Sequence, residues 1–550
     1  MTTASGACHW ALPWIYRRRR PHQLRIAPDE AAQLRASAKS PFCLELLAQS
    51  RLGSAYFVVA RRGKNASALS SSARRRAISD ARSWAKMHAS DEMRQASYVS
   101  ETSPPEPEEP VLERLRRQDT RLDHYIDRYA ARAHGMTASA IRALFAVANR
   151  PEVVSLAGGM PNITDLPLDV VGSVLRELVL NDGRRAMQYG SGQGEPAIRE
   201  AICEVMRLEN ISAHPDDVMV SVGSQQGLDL LTRIFCDPGD VVLCEAPSYV
   251  GALGVFRSYQ CDVVHVAMDE QGLNPSALAD ALRALRRAGR TVKFLYTIPN
   301  YHNPAGVTQS LDRRLELLQL AQQADLLVIE DNPYGLLGFD GEPIPALRSL
   351  DEDLVVYLGS FSKTFAPGFR VGWVLAPHAV REKLVLAQEA ATLCPPVFSQ
   401  FAVAAYLSNH DWRGQIKIFR EMYRERRDAM IAGLSSHMPA GTTWTNPQGG
   451  FFVWLTLPPG IDSHAMLPRA VTARVAYVPG TAFYADGLGS RHMRLSYCFP
   501  TPERIIEGTR RLGEVMEYEA SMLEIFGTAV EPESGRLALG PREAPGPNQT

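Results

Sequence analysis

The sequence of 550 residues predicts an α/β fold, with a mostly parallel sheet between helices and a smaller α+β domain. From about residue 119, helical segments such as "PAIREAICEVMRLEN" alternate with short apolar runs that end abruptly in Gly, Pro, Asn or Asp. Runs that are apolar at every position indicate strands covered on both faces, as in the parallel sheets of α/β proteins.

Six such runs predict the strands of the large sheet, in the order "DVMVSVGS", "DVVLCEAPSY", "VKFLYTIPN", "DLLVIEDNPY", "LVVYLGSFSK" and "VGWVLAP". In α/β sheets, ligands bind at the carboxyl ends of the strands. We therefore expect a site from the polar residues that stand there, which are Ser224, Tyr249, Asn303, Asp331, Tyr334 and Lys363.

The second, smaller domain is predicted by the elements after about residue 395. They are a long helix in "RGQIKIFREMYRERRDAMIAGL", a strand in "GGFFVWLTLP" and a last helix around "TPERIIEGTRRLGEVMEYEA". The domains expected are residues 119–165 as an N-terminal segment of the small domain, 166–395 as the large domain, and 396–526 as the rest of the small domain. Residues 527–550, rich in Pro, Gly and Glu, predict a flexible tail.

Residues 1–118 differ in character from the rest. The first 100 residues hold 17 Lys and Arg against 6 Asp and Glu, with runs such as "IYRRRRPHQLR", and "ETSPPEPEEP" closes the segment. This composition predicts a basic, disordered extension or a mis-assigned start. A targeting role and a nucleic-acid-binding role stay open, since the extreme N-terminus has a transit-peptide-like composition and no secretory apolar region.

Composition excludes several other classes of protein. The eight cysteines show no C-x-x-C pair and no metal-like spacing, so neither a disulfide framework nor a metal site is indicated. No apolar run approaches the roughly 18 to 20 residues that span a bilayer. We expect a cytoplasmic protein without a membrane partner, with organellar targeting by the extension left open.

The role of Lys363 distinguishes the remaining classes. "Ser360-Phe361-Ser362-Lys363" matches S-x-x-K, the acylation motif of penicillin-binding proteins and β-lactamases. Those enzymes also need K-T-G, which the sequence lacks, and they work outside the cytoplasm. A solvated surface lysine is the other simple alternative, but the partners at neighbouring strand ends favour a cofactor site.

Those partners fit pyridoxal phosphate, which carries an aldehyde, a pyridine nitrogen, a phenolic oxygen, a flat ring and a phosphate. Lys363 supplies an amine for the aldehyde, and the Asp331 carboxylate favours the protonated form of the pyridine nitrogen. Asn303 and Tyr334 supply hydrogen-bond donors for the phenolic oxygen, and Tyr249 supplies an aromatic face for the ring.

The phosphate needs a turn with free backbone N–H groups. "GSQQGL" opens a predicted helix after an apolar strand, and helix N-termini bind anions through such groups. Hydroxyls and a guanidinium fork add further donors. The predicted phosphate residues are Gly223, Ser224, Gln225, Ser360, Ser362 and Arg370.

The motifs "SFSKTFAPGFRVGW", "NYHNPAG", "EDNPY", "GSQQGLDL" and "EAPSY" together resemble the class I/II aminotransferases of PLP fold type I. The resemblance runs in order from about residue 121 to 520. Within that family, "MTASAIRALF", "VVSLAGGMPN", "MQYGSGQGEPAIRE", "NPQGGFFVWLTLP" and "HMRLSYCFP" are most similar to the 2-aminoadipate/kynurenine aminotransferase branch.

The resemblance implies further roles for individual residues. Lys363 would bind the cofactor covalently and then act as general base, with Asp331 and Tyr334 beside it in catalysis. Tyr189 would reach the phosphate of a neighbouring subunit, so a homodimer is implied. The substrate residues implied are Arg494 for the α-carboxylate, Gly159 for room beside it, and Arg142 on a mobile helix for a distal carboxylate.

The implied reaction is a ping-pong transfer of an amino group. An L-amino acid of 2-aminoadipate, aromatic or branched-chain type would be the donor, and a 2-oxo acid such as 2-oxoglutarate the acceptor. Two alternatives stay open: a MocR-like transcriptional regulator with an aminotransferase-like domain, and a C–S lyase or aminocyclopropane-carboxylate synthase on the same fold.

Overall fold

The computed structural model describes residues 42–44, 60–62, 125, 128–134, 136 and 150–527. The chain divides into two units, Met1–Leu122 and Asp123–Thr550. In the first unit, the described residues form an antiparallel pair of strands, β1 (Phe42–Leu44) and β2 (Ala60–Arg62). The rest of the predicted extension and the tail from residue 528 lie outside the described residues.

Helices and strands alternate through the second unit. Its strands are β3 (Val154–Ser155), β4 (Val218–Ser221), β5 (Val241–Ala246), β6 (Asp262–Asp269), β7 (Gly272–Leu273), β8 (Val292–Thr297), β9 (Leu327–Asp331), β10 (Val355–Ser360), β11 (Gly372–Leu375), β12 (Thr443–Trp444), β13 (Phe452–Thr456), β14 (Val475–Ala476), β15 (Val478–Pro479) and β16 (His492–Ser496). Its helices are α1 (Ala131–His134), α2 (Leu168–Ala186), α3 (Pro196–Met206), α4 (Ser224–Phe235), α5 (Val250–Ser258), α6 (Pro275–Arg287), α7 (Leu311–Ala324), α8 (Leu347–Leu350), α9 (His378–Thr392), α10 (Val397–Asn409), α11 (Trp412–His437), α12 (Ser463–Thr472) and α13 (Pro502–Phe526).

The large sheet has the strand order β4-β11-β10-β9-β8-β5-β6-β7. The run from β10 to β6 is parallel, whereas β11 is antiparallel to both of its neighbours. The predicted α/β class with a mostly parallel sheet is therefore confirmed. The six apolar runs coincide with β4, β5, β8, β9, β10 and β11, while β6 and β7 extend the sheet at one edge beyond the predicted strands.

Side chains of the central strands pack alternately against two layers of helices. On β10, Val355 joins the cluster that contains Leu278 of α6 and Leu317 of α7. The next residue, Val356, joins the opposite cluster, with Leu228 of α4 and Leu384 of α9. Since each fully buried aliphatic side chain contributes about 1.5 to 3 kcal/mol, this two-sided burial explains the unbroken apolarity of the strand sequences.

A second, antiparallel sheet has the order β12-β13-β16-β15. Its central strand β16 places Arg494 opposite Trp454 of β13 and Val478 of β15. The helices α11 and α13 pack against each other, and Gly433 of α11 lies so close to Thr509 that a side chain there would collide with it. Among the helices of the described residues, none combines the length and apolarity that crossing a membrane requires.

Candidate active site

The carboxyl ends of the parallel strands bring most of the predicted residues to one edge of the large sheet. Asp331 is the last residue of β9, and Lys363 follows β10. Asn303 lies in the turn after β8, and Tyr249 lies between β5 and α5. Because β5, β8, β9 and β10 are parallel neighbours, these four segments leave the sheet on the same side.

Lys363 is half-buried, and its amine has a defined partner. Nζ donates a 2.9 Å hydrogen bond to the carbonyl oxygen of Gly159. Burial lowers the pKa of Lys363 to about 8. The Cys498 thiol opposes this shift of the pKa, and the guanidinium groups of Arg494 and Arg370 add to it. A sizeable neutral fraction therefore exists near neutral pH, which is the form of a lysine that acts as nucleophile or base.

Asp331 is a buried carboxylate whose two oxygens differ in their hydrogen bonding. Its Oδ2 accepts a 2.7 Å hydrogen bond from the Tyr296 hydroxyl, while its Oδ1 is buried and has no hydrogen-bond partner among the described residues. Burial raises the pKa of Asp331 to about 6; the Tyr296 hydrogen bond opposes the shift and the Glu245 charge adds to it. A buried acceptor without a donor is costly, so Oδ1 is suited to a ligand N–H.

Arg494 is a buried cation, with 2% of its surface exposed. Nη1 donates to Asn303 Oδ1 at 2.9 Å, and Nη2 donates to the carbonyl oxygen of Ala157 at 2.7 Å. Nε is buried, and no residue that the structure describes forms a hydrogen bond with it. The guanidinium carbon lies 4.2 Å from the ring centroid of Phe452 and 5.1 Å from that of Phe483. Two of the five guanidinium N–H groups are thus used, and three remain for a ligand.

No carboxylate balances the Arg494 charge in the described part of the chain. Burial lowers the pKa of Arg494 to about 10, and the groups that oppose the shift are Tyr334, Cys498 and Tyr249, none of them an acid that is charged at neutral pH. A buried unpaired cation is costly unless a ligand anion pairs with it. The arrangement is therefore suited to a substrate carboxylate.

The predicted phosphate residues lie together at the start of α4. Gly223 has a φ of +74°, and a side chain there would collide with the Arg370 guanidinium. Arg370 Nη1 donates to Ser362 Oγ at 3.2 Å, and Nη2 donates to the carbonyl oxygen of Val222 at 3.0 Å. Ser360 Oγ donates to Ser362 Oγ at 2.8 Å. Hydroxyls and a guanidinium thus converge on a helix N-terminus, where the first N–H groups lack intrahelical partners.

Ser224 and Gln225 are the first two residues of α4, so their backbone N–H groups are among those free at the helix start. The side chain of Gln225 points elsewhere, since Nε2 donates to the carbonyl oxygen of Gly251 at 3.1 Å. The structure therefore favours backbone rather than side-chain contact of Gln225 with an anion.

Tyr249 and Tyr334 are neutral donors at physiological pH. Burial raises the pKa of the half-buried Tyr249, with the Asp331 charge adding to the shift. Burial also raises the pKa of Tyr334 well above its usual range. The Tyr334 ring packs 5.2 Å from the ring of Phe451, centroid to centroid, which fixes its position.

Residues 152–512 match the family model described as aminotransferase class I and II. The chain belongs to the class I and II aminotransferases. This aminotransferase is 43% identical over 394 residues to an aromatic-amino-acid aminotransferase of Thermococcus litoralis, covering 71% of this chain and 94% of that protein. It is 36% identical over 384 residues to a 2-aminoadipate transaminase of Thermus thermophilus, covering 69% of this chain and 94% of that protein.

A solved structure shows the same fold. A kynurenine aminotransferase of Pyrococcus horikoshii, determined in complex with PMP, has a TM-score of 0.69 and 39% identity, covering 72% of this chain and 98% of that chain. The predicted PLP fold type I and the predicted family are confirmed. This aminotransferase is a PLP-dependent transaminase, and its cofactor is pyridoxal 5′-phosphate.

The residues present fit that cofactor. Asp331 Oδ1 is a buried acceptor that awaits a donor, which a protonated ring nitrogen supplies. Arg370, Ser362 and the start of α4 form a cradle of donors for a phosphate dianion. Lys363 supplies an amine of lowered pKa for the cofactor aldehyde.

Tyr189 is a predicted residue that does not join this cluster within the described part of one chain. Tyr189 is 75% exposed, and no hydrogen bond of its side chain to the cluster is found in the described residues. Arg142 lies outside the described residues. Gly159 does join the cluster, and a methyl group there would lie 3.0 Å from Cζ of Phe452, so a larger residue would crowd the ring next to Arg494.

Tyr296 and Cys498 contribute to the site but were not among the predicted residues. Tyr296 donates to Asp331, as described above, and Cys498 Sγ donates to the carbonyl oxygen of Met160 at 3.0 Å. Tyr296 stands within the apolar run "VKFLYTIPN". A tyrosine hydroxyl among buried apolar residues needs a hydrogen-bond partner, and this was the sequence signal that could have found it. Cys498 follows Arg494 by four residues in "MRLSYCFP".

Proposed function

We propose that this aminotransferase moves the amino group of an L-amino acid of 2-aminoadipate, aromatic or branched-chain type to a 2-oxo acid such as 2-oxoglutarate. The observation that carries the proposal is Arg494, a buried cation with no acidic partner among the described residues. Donor and acceptor share an α-carboxylate, and a guanidinium binds a carboxylate through two parallel hydrogen bonds. One such arginine serves both substrates in turn, which supports ping-pong kinetics.

The residues that we assign to the cofactor follow from their chemistry. Lys363 anchors it, Asp331 Oδ1 accepts from its ring nitrogen, and Tyr249 stacks on its ring. Asn303 and Tyr334 donate to its phenolic oxygen. The phosphate is assigned to Gly223, Ser224, Gln225, Ser360, Ser362 and Arg370. When bound, pyridoxal phosphate supplies an electron-withdrawing ring next to the substrate α-carbon.

The chain's own groups then handle protons and charge. The Lys363 amine would take the proton from the substrate α-carbon, and its lowered pKa suits a base at neutral pH. The Gly159 carbonyl holds that amine in place through its 2.9 Å contact. Asp331 remains a hydrogen-bond acceptor and Tyr334 remains a donor during the transfer. Gly159 also leaves space beside the substrate carboxylate.

The type of donor is inferred from two sources. The names of the relatives include aromatic amino acids, 2-aminoadipate and kynurenine. The buried rings of Phe452 and Phe483 pack against Arg494, so the carboxylate position has apolar surroundings, which fit an aromatic or other apolar donor. Arg142 is proposed for donors that carry a distal carboxylate.

The assembly that we propose is a homodimer, in which Tyr189 binds the cofactor phosphate of the partner subunit. Its exposure of 75% supports this role, because a ring so open in one chain is available to a second chain. Leu180 and Met187 are also exposed large side chains in the same region of the chain. We also propose that the chain has a large domain (166–395) and a small domain (119–165 with 396–526).

An absorbance scan of the purified holoenzyme tests the reaction. Amino acids are added one at a time, followed by 2-oxoglutarate, and the oxo acid and glutamate are quantified. We expect an accepted donor to remove the absorbance band of the bound cofactor and 2-oxoglutarate to restore it. Release of ammonia or a thiol in place of glutamate would overturn transamination in favour of lyase chemistry. A band unmoved by every donor would overturn the proposal altogether.

A further inference from the structure

Glu245, at the end of β5, is a fully buried carboxylate held by neutral donors. Its exposed fraction is 0%. The donors to its two oxygens are Thr297 Oγ1 at 2.5 Å and Gln309 Nε2 at 3.3 Å on Oε1, and Ile298 N at 3.0 Å and His302 Nε2 at 3.0 Å on Oε2. No lysine or arginine pairs with it in the part of the chain that the structure describes. Burying a carboxylate in this way is costly, which suggests that it serves a purpose beyond packing.

His302 connects this carboxylate to the turn that follows β8. Its Nδ1 accepts a 3.2 Å hydrogen bond from the backbone N–H of Ala305, so the ring proton is on Nε2 and is donated to Glu245. The backbone of His302 closes the same turn, since its N–H donates to Val307 O at 2.8 Å and its carbonyl accepts from Gly306 N at 2.6 Å. The imidazole is fully buried, and it joins β5 to the turn.

The other side of the turn is fixed by the second sheet. Gly306 has a φ of +71°, and a side chain there would collide with the backbone carbonyl of Phe452 on β13. The turn is therefore packed between β13 and the Glu245–His302 pair. A segment fixed on both sides holds its side chains in one place, and such preorganisation is what a ligand-binding residue needs.

Asn303 is the residue next to His302, so the fixed turn also fixes the position of the Asn303 side chain. Its Oδ1 accepts from Arg494, so its amide group is oriented with Nδ2 as the remaining donor. In the proposed function, that donor is the one assigned to the cofactor phenolic oxygen. The position of Asn303 thus affects both the cofactor and the arginine assigned to the substrate carboxylate.

We propose that the buried Glu245–His302 pair positions Asn303, and through it Arg494, for cofactor and substrate binding. Neither member of the pair touches the cofactor or substrate in this scheme, so both are positioning residues. The inference rests on the proposed function, because it takes the assigned role of Asn303 as given. A purely structural role of the pair is the competing explanation.

Two amide substitutions separate these explanations. In His302→Gln the side-chain amide lies near the Nε2 position and keeps a donor for Glu245. In His302→Asn the amide reaches only the Nδ1 position, so the acceptor for Ala305 is kept and the link to Glu245 is lost. Glu245→Gln removes the charge with little change of volume. His464→Asn, at an exposed position on α12, is the matched control.

Five quantities are measured on each full-length variant: the Kd for pyridoxal phosphate, kcat, KM, the pH midpoint of the bound cofactor's absorbance band, and the Tm of the cofactor-free protein. For His302→Asn we expect cofactor affinity to fall about tenfold, the change that loss of one hydrogen bond of average strength produces. The pH midpoint should rise by about one unit, because a donor to the phenolic oxygen favours its deprotonated form. His302→Gln should restore both quantities.

The outcomes distinguish failure of the positioning role from failure of the proposed function. A lower Tm with unchanged Kd and unchanged pH midpoint in His302→Asn would make the pair structural and overturn the positioning role. If Glu245→Gln does not fold, the comparison of His302→Asn with His302→Gln is sufficient to decide between the positioning role and a purely structural role. If no amino acid changes the absorbance band of the wild-type protein, the proposed function itself is refuted. If the wild type responds but His302→Asn keeps the Kd and pH midpoint of the wild type, only this inference is refuted.

Discussion

Lys363 Nζ donates a 2.9 Å hydrogen bond to the carbonyl oxygen of Gly159, a residue that lies 204 positions earlier in the chain. The same loop is held from its other side, since Cys498 Sγ donates to the carbonyl oxygen of Met160. The amine that we assign as anchor and base is therefore placed by a backbone oxygen, and the conformation of the loop determines where the amine stands.

The first prediction concerns the anchor itself. Lys363→Ala should yield folded protein that binds pyridoxal phosphate weakly and does not turn over, because both the covalent link and the assigned base are lost. Equilibrium dialysis gives the affinity, and glutamate formation gives the turnover. Steady transamination by this variant would remove Lys363 from the mechanism.

The second prediction uses the lowered pKa of Lys363. Only the neutral amine attacks an aldehyde, so the rate at which cofactor-free protein captures pyridoxal phosphate should rise with pH and reach half its maximum near pH 8. An ordinary lysine would place that midpoint about two units higher. Stopped-flow absorbance between pH 6 and 9.5 measures the rate, with the free cofactor's own titration recorded as the control. A rate that is still climbing at pH 9.5 contradicts the lowered pKa.

The third prediction links Asp331 to stability. Burial raises its pKa to about 6 in the folded cofactor-free protein, from an ordinary value of 3.8. Folding therefore favours the protonated form, and this contribution to the free energy of unfolding is lost as the pH rises from about 4 to 6. The loss amounts to about 3 kcal/mol for a shift of roughly two units.

A comparison with Asp331→Asn isolates this effect. Burial also raises the pKa of Glu330, to about 7, so stability should decline with pH in both proteins, but less steeply in the variant. Urea unfolding of the cofactor-free proteins between pH 4.5 and 7 measures the two slopes. Equal slopes would mean that Asp331 does not titrate in this window.

Much of the fold follows from the sequence because burial on both faces leaves a simple signal. The strands β4, β5, β8, β9, β10 and β11 were predicted from unbroken apolar runs. The edge strand β6, with the sequence "DVVHVAMD", is only partly buried, so it lacks that signal. The antiparallel direction of β11 depends on a connection that the strand's own residues do not encode.

The site is predictable to the extent that its residues stand at strand ends. Asp331 and Lys363 follow apolar runs directly, and a charged residue there calls for a partner. Arg494 lies within β16, and only the resemblance to a known family indicated it. Tyr296 was missed because its hydroxyl reaches Asp331 on the adjacent strand β9, a contact that depends on the register of β8 and β9.

The fourth prediction concerns the substrate carboxylate. Arg494→Lys keeps the charge but loses the guanidinium fork, so kcat/KM for every donor and for 2-oxoglutarate should fall roughly 10- to 150-fold, chiefly through KM. Cofactor affinity should change less, because Arg494 is not assigned to it. Arg510→Lys, at a partly exposed position on α13, is the matched control. A loss confined to one substrate would show that the two carboxylates do not share Arg494.

The last prediction concerns residues 1–118, which fall entirely within the first unit, Met1–Leu122. Every residue assigned to cofactor or substrate lies in the second unit, and the family match begins at residue 152. Deleting residues 1–118 should therefore leave kcat and KM within about twofold of the full chain, a difference of well under 1 kcal/mol. Steady-state kinetics with the best donor and 2-oxoglutarate measure both quantities.

The same deletion separates the enzyme from a regulator that carries an aminotransferase-like domain. A regulator would bind DNA through its N-terminal unit, and that binding would weaken steeply with salt because lysine and arginine displace counterions from phosphate. We expect the full chain to show at most weak binding without sequence preference, as its arginine runs provide charge but no helix-turn-helix pattern. Sequence-specific, salt-sensitive binding that disappears with residues 1–118 would give the chain a second function beside transamination.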